Sequence, residues 1–351
     1  MNMMLKYRIV LIVPAIVLLV APFISCGGES APIESVSVLD EETDSEVPDT
    51  PVDEEADESS SIPVTEEREP ELPIIPHTEV RITRNVEYGR ADGIPLLLDI
   101  YMPKTPIVEP MPVIVFIHGG GWQNGDKYPG KAEILAKRGF LGISINYRLS
   151  GVAPFPAAVE DCKCAIRWVR AHAEEYDIDP DKIGIWGSSA GGHLVMMLGC
   201  VDETAGLEGN SGWAAHSSRV QAVCSYFGPA DFTIMGRFGT RTEFSAEAKF
   251  LGGTMEEIPD VYVKASPITY VSTDDPPLLM VHGNMDYTVS FKQSEHMLDA
   301  YQQEGLEATL IEVKDAGHGF RKVTDNPVVP SIEEIEQAVL DFFVKHLIMA
   351  D

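Results

Sequence analysis

Lys182-Ile183-Gly184-Ile185-Trp186-Gly187-Ser188-Ser189-Ala190-Gly191-Gly192-His193 is the stretch on which the reading of the chain turns. Lys182 to Trp186 is an apolar, β-favouring run, and His193 to Gly199 has helical spacing, so Gly187 to Gly191 forms a strand-to-helix turn. A serine at the centre of such a turn, with glycines two places to either side, sits on a sharply bent backbone that its neighbours can approach without side-chain clashes. The free N–H groups and positive dipole end of the following helix then point at that serine. Ser189 is therefore the expected nucleophile. Ser188 is the competing hydroxyl but lies off-centre. A purely structural serine in a glycine-rich turn is the plainer alternative, and the flanking strand, the helix and Gly192 weigh against it.

On both sides of this turn apolar runs alternate with helical patterns. Residues 79–101 read as two strands joined at Asp92-Gly93. Further strands are expected at Val113–Ile117, Leu141–Tyr147, Val220–Phe227, Leu278–Val281 and Ala308–Val313, and helices at Ala157–Tyr176, Ser290–Glu304 and Ser331–His346. This alternation implies an α/β fold with a mostly parallel central sheet and helices on both faces. Functional groups in such sheets collect at the carboxyl ends of the strands, and the remaining candidates fall there.

His118-Gly119-Gly120-Gly121-Trp122 follows the strand Val113–Ile117. Acyl transfer develops negative charge on a carbonyl oxygen, which preorganised N–H donors stabilise. The N–H groups of Gly120, Gly121 and Ala190 are the expected donors. A generic glycine turn is the alternative; a phosphate loop would need a Lys and a Ser or Thr that this segment lacks. His118 reads as structural. The general base should be a His late in the chain, in the order nucleophile, acid, His. His318, in Asp315-Ala316-Gly317-His318-Gly319-Phe320, fits best, while His282, His296 and His346 read as structural or surface residues. The acid should follow the preceding strand. Asp286, in His282-Gly283-Asn284-Met285-Asp286, would accept a hydrogen bond from His318 and hold the tautomer that takes the Ser189 proton. Asp315 and Asp231 are the alternatives.

Composition divides the 351 residues. Residues 29–71 hold 17 Asp and Glu against one Arg, Arg68, and so carry about half of the formal charge of -29. With so little apolar area this stretch should be disordered, and residues 27–78 are read as a linker. Residues 79–351 have ordinary globular composition, enough for one large domain. That body is itself acidic and has no basic cluster, which argues against nucleic acid as a partner. At the N-terminus, Lys6 and Arg8 precede an apolar run from Ile9 to Val20, the pattern of an export signal. The segment Ile24-Ser25-Cys26-Gly27-Gly28 resembles the bacterial lipoprotein signal. That resemblance implies a signal peptide at 1–26, a lipid on Cys26, and a protein anchored to a membrane of the bacterial cell envelope. A plain signal peptide, or a short membrane anchor with an incidental Cys, is the alternative. Cys162, Cys164, Cys200 and Cys224 are expected to be buried free thiols, although export would permit pairing.

Together these motifs resemble the α/β-hydrolase superfamily, and within it the bacterial feruloyl-esterase-like and carboxylesterase-like hydrolases, related to the hormone-sensitive-lipase-like esterases. The matching segments, spread over residues 80–348, are His118 to Trp122 with Gly125-Asp126-Lys127, Asn146-Tyr147-Arg148, Asp179-Pro180-Asp181-Lys182-Ile183, the Ser189 turn, and the Asp286 and His318 loops. The resemblance implies the α/β-hydrolase fold and ester hydrolysis through an acyl-enzyme, with no cofactor and no metal. Hormone-sensitive-lipase-like esterases carry a helical N-terminal cap, whereas here the region before Val113 reads as strands. A short lid is therefore expected from residues 202–265. Its aromatics, Trp213, Phe232, Phe238 and Phe244, suit a shallow pocket for short-chain or aromatic acyl groups, such as acetyl or feruloyl groups on a small molecule or polysaccharide. The rival readings are an arylformamidase or peptidase on the same triad, and a noncatalytic surface-binding lipoprotein.

Overall fold

The computed structural model describes residues 77–128, 131–234 and 243–350. The signal peptide, Cys26, the acidic stretch and Phe238 lie outside the described residues. The described chain begins as an antiparallel hairpin, β1 (Val80–Ala91) and β2 (Ile94–Pro103). It turns at Asp92 and Gly93, whose φ values of 49° and 82° are those of a turn that matches the twist of the flanking strands. There follow β3 (Met111–Ile117), α1 (Ala132–Ala136), β4 (Leu141–Ile145), α2 (Ala157–Ala171), α3 (Ala173–Tyr176), β5 (Ile178–Ser188), α4 (Ala190–Cys200) and β6 (Ala222–Tyr226). The last elements are α5 (Ala246–Leu251), α6 (Pro259–Lys264), β7 (Leu278–Gly283), α7 (Lys292–Gln303), β8 (Ala308–Val313) and α8 (Ile332–Leu347).

The eight strands form one sheet in the order β1-β2-β4-β3-β5-β6-β7-β8. Only β1 with β2 and β2 with β4 pair antiparallel; the rest of the sheet is parallel. Strand side chains alternate between two cores, as a pleated sheet covered on both sides requires. Val113, Val115 and Ile117 of β3 share one layer with Cys162 of α2, Leu194 of α4 and Met297 of α7. Ile114 and Phe116 share the other with Leu135 of α1 and Phe343 of α8.

The expected strands are all present, with ends displaced by a few residues. The expected helix Ala157–Tyr176 breaks at His172, whose φ of -110° and ψ of 19° are not helical. The segment 202–265, read as a single lid, divides in two. Its first part packs on α2 and β1, away from the strand ends that carry the candidate residues. Buried Lys163 donates to Val201 O (2.8 Å), Glu208 Oε1 (2.6 Å) and Ser218 Oγ (3.1 Å), and the Trp213 indole donates to Tyr88 O at 2.7 Å. Only the later part, with α5, reaches the glycine loop: a Cβ placed on Gly121 would lie 3.5 Å from the Ala246 side chain. The physical reason is that Lys163 cannot stay buried without acceptors, and the returning segment supplies them.

A second buried ion pair fixes the chain after β4. The Arg148 guanidinium is forked onto Asp161 of α2, with Nε to Oδ2 at 2.9 Å and Nη2 to Oδ1 at 2.8 Å, and it also reaches Asp92 at 2.9 Å. The Asp161 side chain is fully buried, whereas Asp92 is 83% exposed. Asp161→Ala should therefore destabilise the fold by about 3–5 kcal/mol by stranding a buried guanidinium, while Asp92→Ala should cost less than about 1 kcal/mol. Urea unfolding of the two variants checks the difference.

Candidate active site

Register at the centre of the sheet assembles the site. Ile117 pairs with Gly187, and Ser188 with Tyr226. The loops leaving β3, β5 and β6 therefore emerge side by side, where the strand order reverses. Ser189 caps α4 with φ 55° and ψ -118°, a conformation that only a surrounding structure can impose on a residue with a side chain. Its N–H donates to Tyr226 O at 2.8 Å and its carbonyl accepts from the His193 N–H at 3.0 Å. The first turn of α4 lies directly on the end of β3: a Cβ on Gly191 would collide with the Ile117 carbonyl.

The structure brings Ser189, His318 and Asp286 together. His318 Nε2 is 3.0 Å from Ser189 Oγ, and His318 Nδ1 is 2.6 Å from Asp286 Oδ2. The second carboxylate oxygen, Oδ1, accepts from the N–H groups of Thr288 (2.7 Å) and Val289 (2.9 Å). Burial pushes the Asp286 pKa up, but hydrogen bonds from His282, His318 and the Val289 N–H outweigh it and hold the carboxyl well below the usual carboxylate range. Asp286 is therefore an ionised acceptor. The His318 proton must then sit on Nδ1, leaving the Nε2 lone pair facing the Ser189 hydroxyl. His318 opens a 3₁₀ turn, and its ring packs edge-on against Phe227 with centroids 4.6 Å apart.

The alternatives lie elsewhere. Asp315 accepts from Thr324 and Asn326, and Asp231 from Thr233. His282 is buried, bonded to Ser294 Oγ (2.7 Å) and Val289 O (3.0 Å), with Nε2 3.4 Å from Asp286 Oδ2. His346 lies 3.3 Å from Glu307. Among the described residues, Cys162, Cys164, Cys200 and Cys224 are buried and free.

In the glycine loop, Gly120 and Gly121 have φ of 112° and 60°. The Gly120 conformation is one that glycine adopts without strain, and it lets the Gly120 carbonyl accept from both Gln123 N–H and Asn124 N–H, at 3.2 and 3.0 Å. Ala190 is the first residue of α4, where N–H groups have no partner within the helix. Among the described residues, none of the Gly120, Gly121 and Ala190 N–H groups meets a backbone carbonyl of another segment. His118 is structural in its contacts: its ring stacks on Tyr147 at 4.5 Å and its Nδ1 bonds Gly119 O at 2.7 Å.

Sequence reasoning leaves out His193 and Phe227. His193 is fully buried, with Nδ1 3.2 Å from the Trp122 indole nitrogen and Nε2 2.8 Å from Ala265 O. Its signal in the sequence is a polar side chain inside an otherwise apolar helix. Burial pushes its pKa down to about 4. Behind the acid loop lies a cleft of about 860 Å³, lined among others by Ile234, Met285, Tyr287 and Phe291.

A family model described as BD-FAE matches residues 98–301. The "Probable carboxylic ester hydrolase LipM" of Mycobacterium tuberculosis is 34% identical over 223 residues, which cover 62% of this chain and 50% of the relative. The chain thus spans about half the length of this curated relative, and 64% of the "Esterase LipC" of the same organism, to which it is 30% identical. Among solved structures, a truncated carbohydrate esterase from gut microbiota superposes with a TM-score of 0.66 at 32% identity, over 79% of this chain and 99% of that one.

The site also carries an acid-sensitive element. An unfolded chain binds a proton on His193 near the ordinary value of about 6.5, whereas the folded chain resists it down to about 4. Between these values the unfolded state holds more protons, so stability is full above about pH 6.5 and is lost as pH falls toward about 4. Burial also lowers the pKa of His118 and His346, which act in the same direction. Melting temperature should therefore fall across this window, and His193→Asn should flatten the slope without abolishing it. An unchanged slope in that variant would show that His193 is not the titrating group.

Proposed function

We propose that this chain, which belongs to the BD-FAE family, hydrolyses carboxylic esters through an acyl-enzyme on Ser189. The observation that carries this reading is the unbroken hydrogen-bond chain from Ser189 Oγ to His318 (3.0 Å) to Asp286 (2.6 Å), built on a bent nucleophile backbone. In the forward step Ser189 Oγ attacks the ester carbonyl and passes its proton to His318 Nε2. The imidazolium is stabilised by the ionised Asp286. The oxyanion is met by the N–H groups of Gly120, Gly121 and Ala190. Collapse expels the alkoxide, which takes the proton from His318 and leaves as the alcohol. A water then attacks the acyl-Ser189 with His318 as base, and the carboxylic acid departs.

The preferred acyl group is short, or is an aromatic acyl group, and the alcohol belongs to a carbohydrate. Two observations support this. The space beside the glycine loop is filled by Trp122, Phe232 and Phe250, each at most 3% exposed, which leaves little of the apolar channel that a long chain needs to gain from burial. Relatives in structure include a carbohydrate esterase and an esterase of Thermogutta terrifontis solved with propionate and with butyrate bound. In the cell, Cys26 carries lipid and the acidic segment tethers the domain to the envelope, which brings the enzyme to large external substrates.

Ser189→Ala and His318→Ala should each lower kcat by about 10⁴-fold or more, with the double variant little worse, because the pair acts as a unit. Asp286→Asn should cost roughly 10⁴-fold. Activity retained in Ser189→Ala and lost in Ser188→Ala would overturn the assignment. Across p-nitrophenyl esters of increasing length, kcat/KM should peak at roughly two to four carbons; a maximum at about eight or more would indicate a lipase. For the anchor, Cys26→Ser should abolish metabolic labelling with a fatty-acid probe, and labelling that survives the substitution refutes it.

A further inference from the structure

Trp122 directly follows the two glycines that supply the loop amides. Its backbone is left-handed, φ 57°, a conformation that a bulky residue keeps only when its surroundings enforce it. The indole is stacked on Phe250 (4.7 Å, 13°) and tilted against Phe232 (5.5 Å). Its N–H can only donate, and it meets His193 Nδ1 at 3.2 Å. Nδ1 is therefore the unprotonated nitrogen. Nε2 carries the proton and donates it to Ala265 O at 2.8 Å. The tautomer is fixed from both ends by partners that have no other choice of role.

Three segments converge on this one ring. His193 sits one turn along α4 from Ser189, and the two are joined through the backbone bond from His193 N–H to Ser189 O. Trp122 belongs to the glycine loop. Ala265 ends α6, and the adjacent Ser266 is itself pinned: it accepts from the Phe232 N–H and donates to Tyr262 O, both at 2.8 Å. Phe232 returns to the ring of His193 at 4.9 Å.

We propose that His193 is a positioning residue for the oxyanion hole, holding the Gly120 and Gly121 amides at a fixed place relative to Ser189 by accepting from Trp122 and donating to Ala265. The inference rests on the reading of Ser189 as nucleophile and of these amides as its oxyanion donors. A buried histidine that merely filled space would affect how much protein folds. A positioning residue affects what each folded molecule does to the charge that develops in the transition state, and therefore kcat rather than KM.

The test uses the full chain and four variants: His193→Leu, His193→Asn, Trp122→Phe, and the double variant of His193→Leu with Trp122→Phe. Thermal melting sets an assay temperature at which each is folded. Two readouts are taken, kcat and KM for p-nitrophenyl acetate, and the rate at which a p-nitrophenyl alkylphosphonate phosphonylates Ser189. In the second reaction Ser189 Oγ bonds to phosphorus, p-nitrophenolate leaves, and the serine proton passes to His318. His193→Leu and Trp122→Phe should each lower kcat and the phosphonylation rate by about 10- to 100-fold, with KM within about twofold. The double variant should be no worse than the worse single one. His193→Asn, whose Oδ1 can take the place of Nδ1 as acceptor for the indole, should recover most of the loss.

Wild-type kcat in folded His193→Leu, an effect confined to KM, or additive losses in the double variant would each overturn the proposal. If His193→Leu does not fold, Trp122→Phe decides alone, and an unchanged kcat there overturns it. Wild-type protein that neither hydrolyses the ester nor reacts with the phosphonate removes the esterase reading itself, whereas an active wild type with indifferent variants removes only the role of His193.

Discussion

The backbone of Ser189, at φ 55° and ψ -118°, is the constraint around which the sheet is organised. Such a conformation costs of order 1–3 kcal/mol and persists only where neighbours over-determine it. Here the end of β6 takes the Ser189 N–H, the first turn of α4 takes its carbonyl, and the end of β3 presses on Gly191. Those three elements meet around Ser189 only if strands 3, 5 and 6 lie adjacent and in register. The register is bought by burial: every residue of β3 and of β6 is buried, so neither strand can slip by one position without exchanging the contents of the two cores.

The motif Asn146-Tyr147-Arg148 shows how the glycine loop is tied to that centre. Asn146 Oδ1 accepts from the Lys127 N–H at 2.6 Å, at the exit of the loop. The Tyr147 hydroxyl donates to His118 O at 3.1 Å, at its entrance, and the Tyr147 ring stacks on His118. Arg148 anchors the whole segment to α2 through Asp161. Lys127 itself ends on fully buried Asp99, 3.0 Å away, which also accepts from Arg84 at 3.0 Å and from the Asn85 N–H at 2.9 Å. Buried pairs of this kind add little net stability, yet losing one partner strands a charge. Their value is geometric, because they join segments distant in sequence at defined points.

The parts of the molecule legible in the sequence are those whose signal is local. The strand, turn and helix around Ser189 are contiguous, and the loops of Asp286 and His318 each follow a run of β-favouring residues. The short helices α1, α5 and α6, of five or six residues, contain too few turns for an apolar period to emerge. The split of residues 202–265 depends on Lys163, whose acceptors lie 38 to 55 residues away. His193 is hidden for the same reason: its two ring partners are 71 and 72 residues distant, on opposite sides in the chain. A composition rich in Gly, Ser and charges predicts an irregular segment but not the surface on which it comes to rest.

Burial within the hydrogen-bonded trio is graded, and the grading has a chemical consequence. The Asp286 side chain is fully buried, whereas that of His318 is 27% exposed and Ser189 is half-buried. A buried, ionised carboxylate with its second oxygen satisfied by two backbone N–H groups cannot turn to another partner, so it fixes the His318 ring without competing for the Ser189 proton. In the proposed mechanism the imidazole, by contrast, has to meet three successive partners at one nitrogen: the serine hydroxyl, the leaving alkoxide, and the water that releases the acid. Sinking it as deeply as Asp286 would strengthen its bond to the carboxylate but deny that water a path. The edge-on packing of Phe227 at 4.6 Å supplies one wall for the ring, whose Nε2 faces Ser189 Oγ at 3.0 Å. Rigidity is thus concentrated on the sheet side, at Ser189 and the amides, and on the acid, while the His318 ring stays partly exposed where Asp286 is sealed.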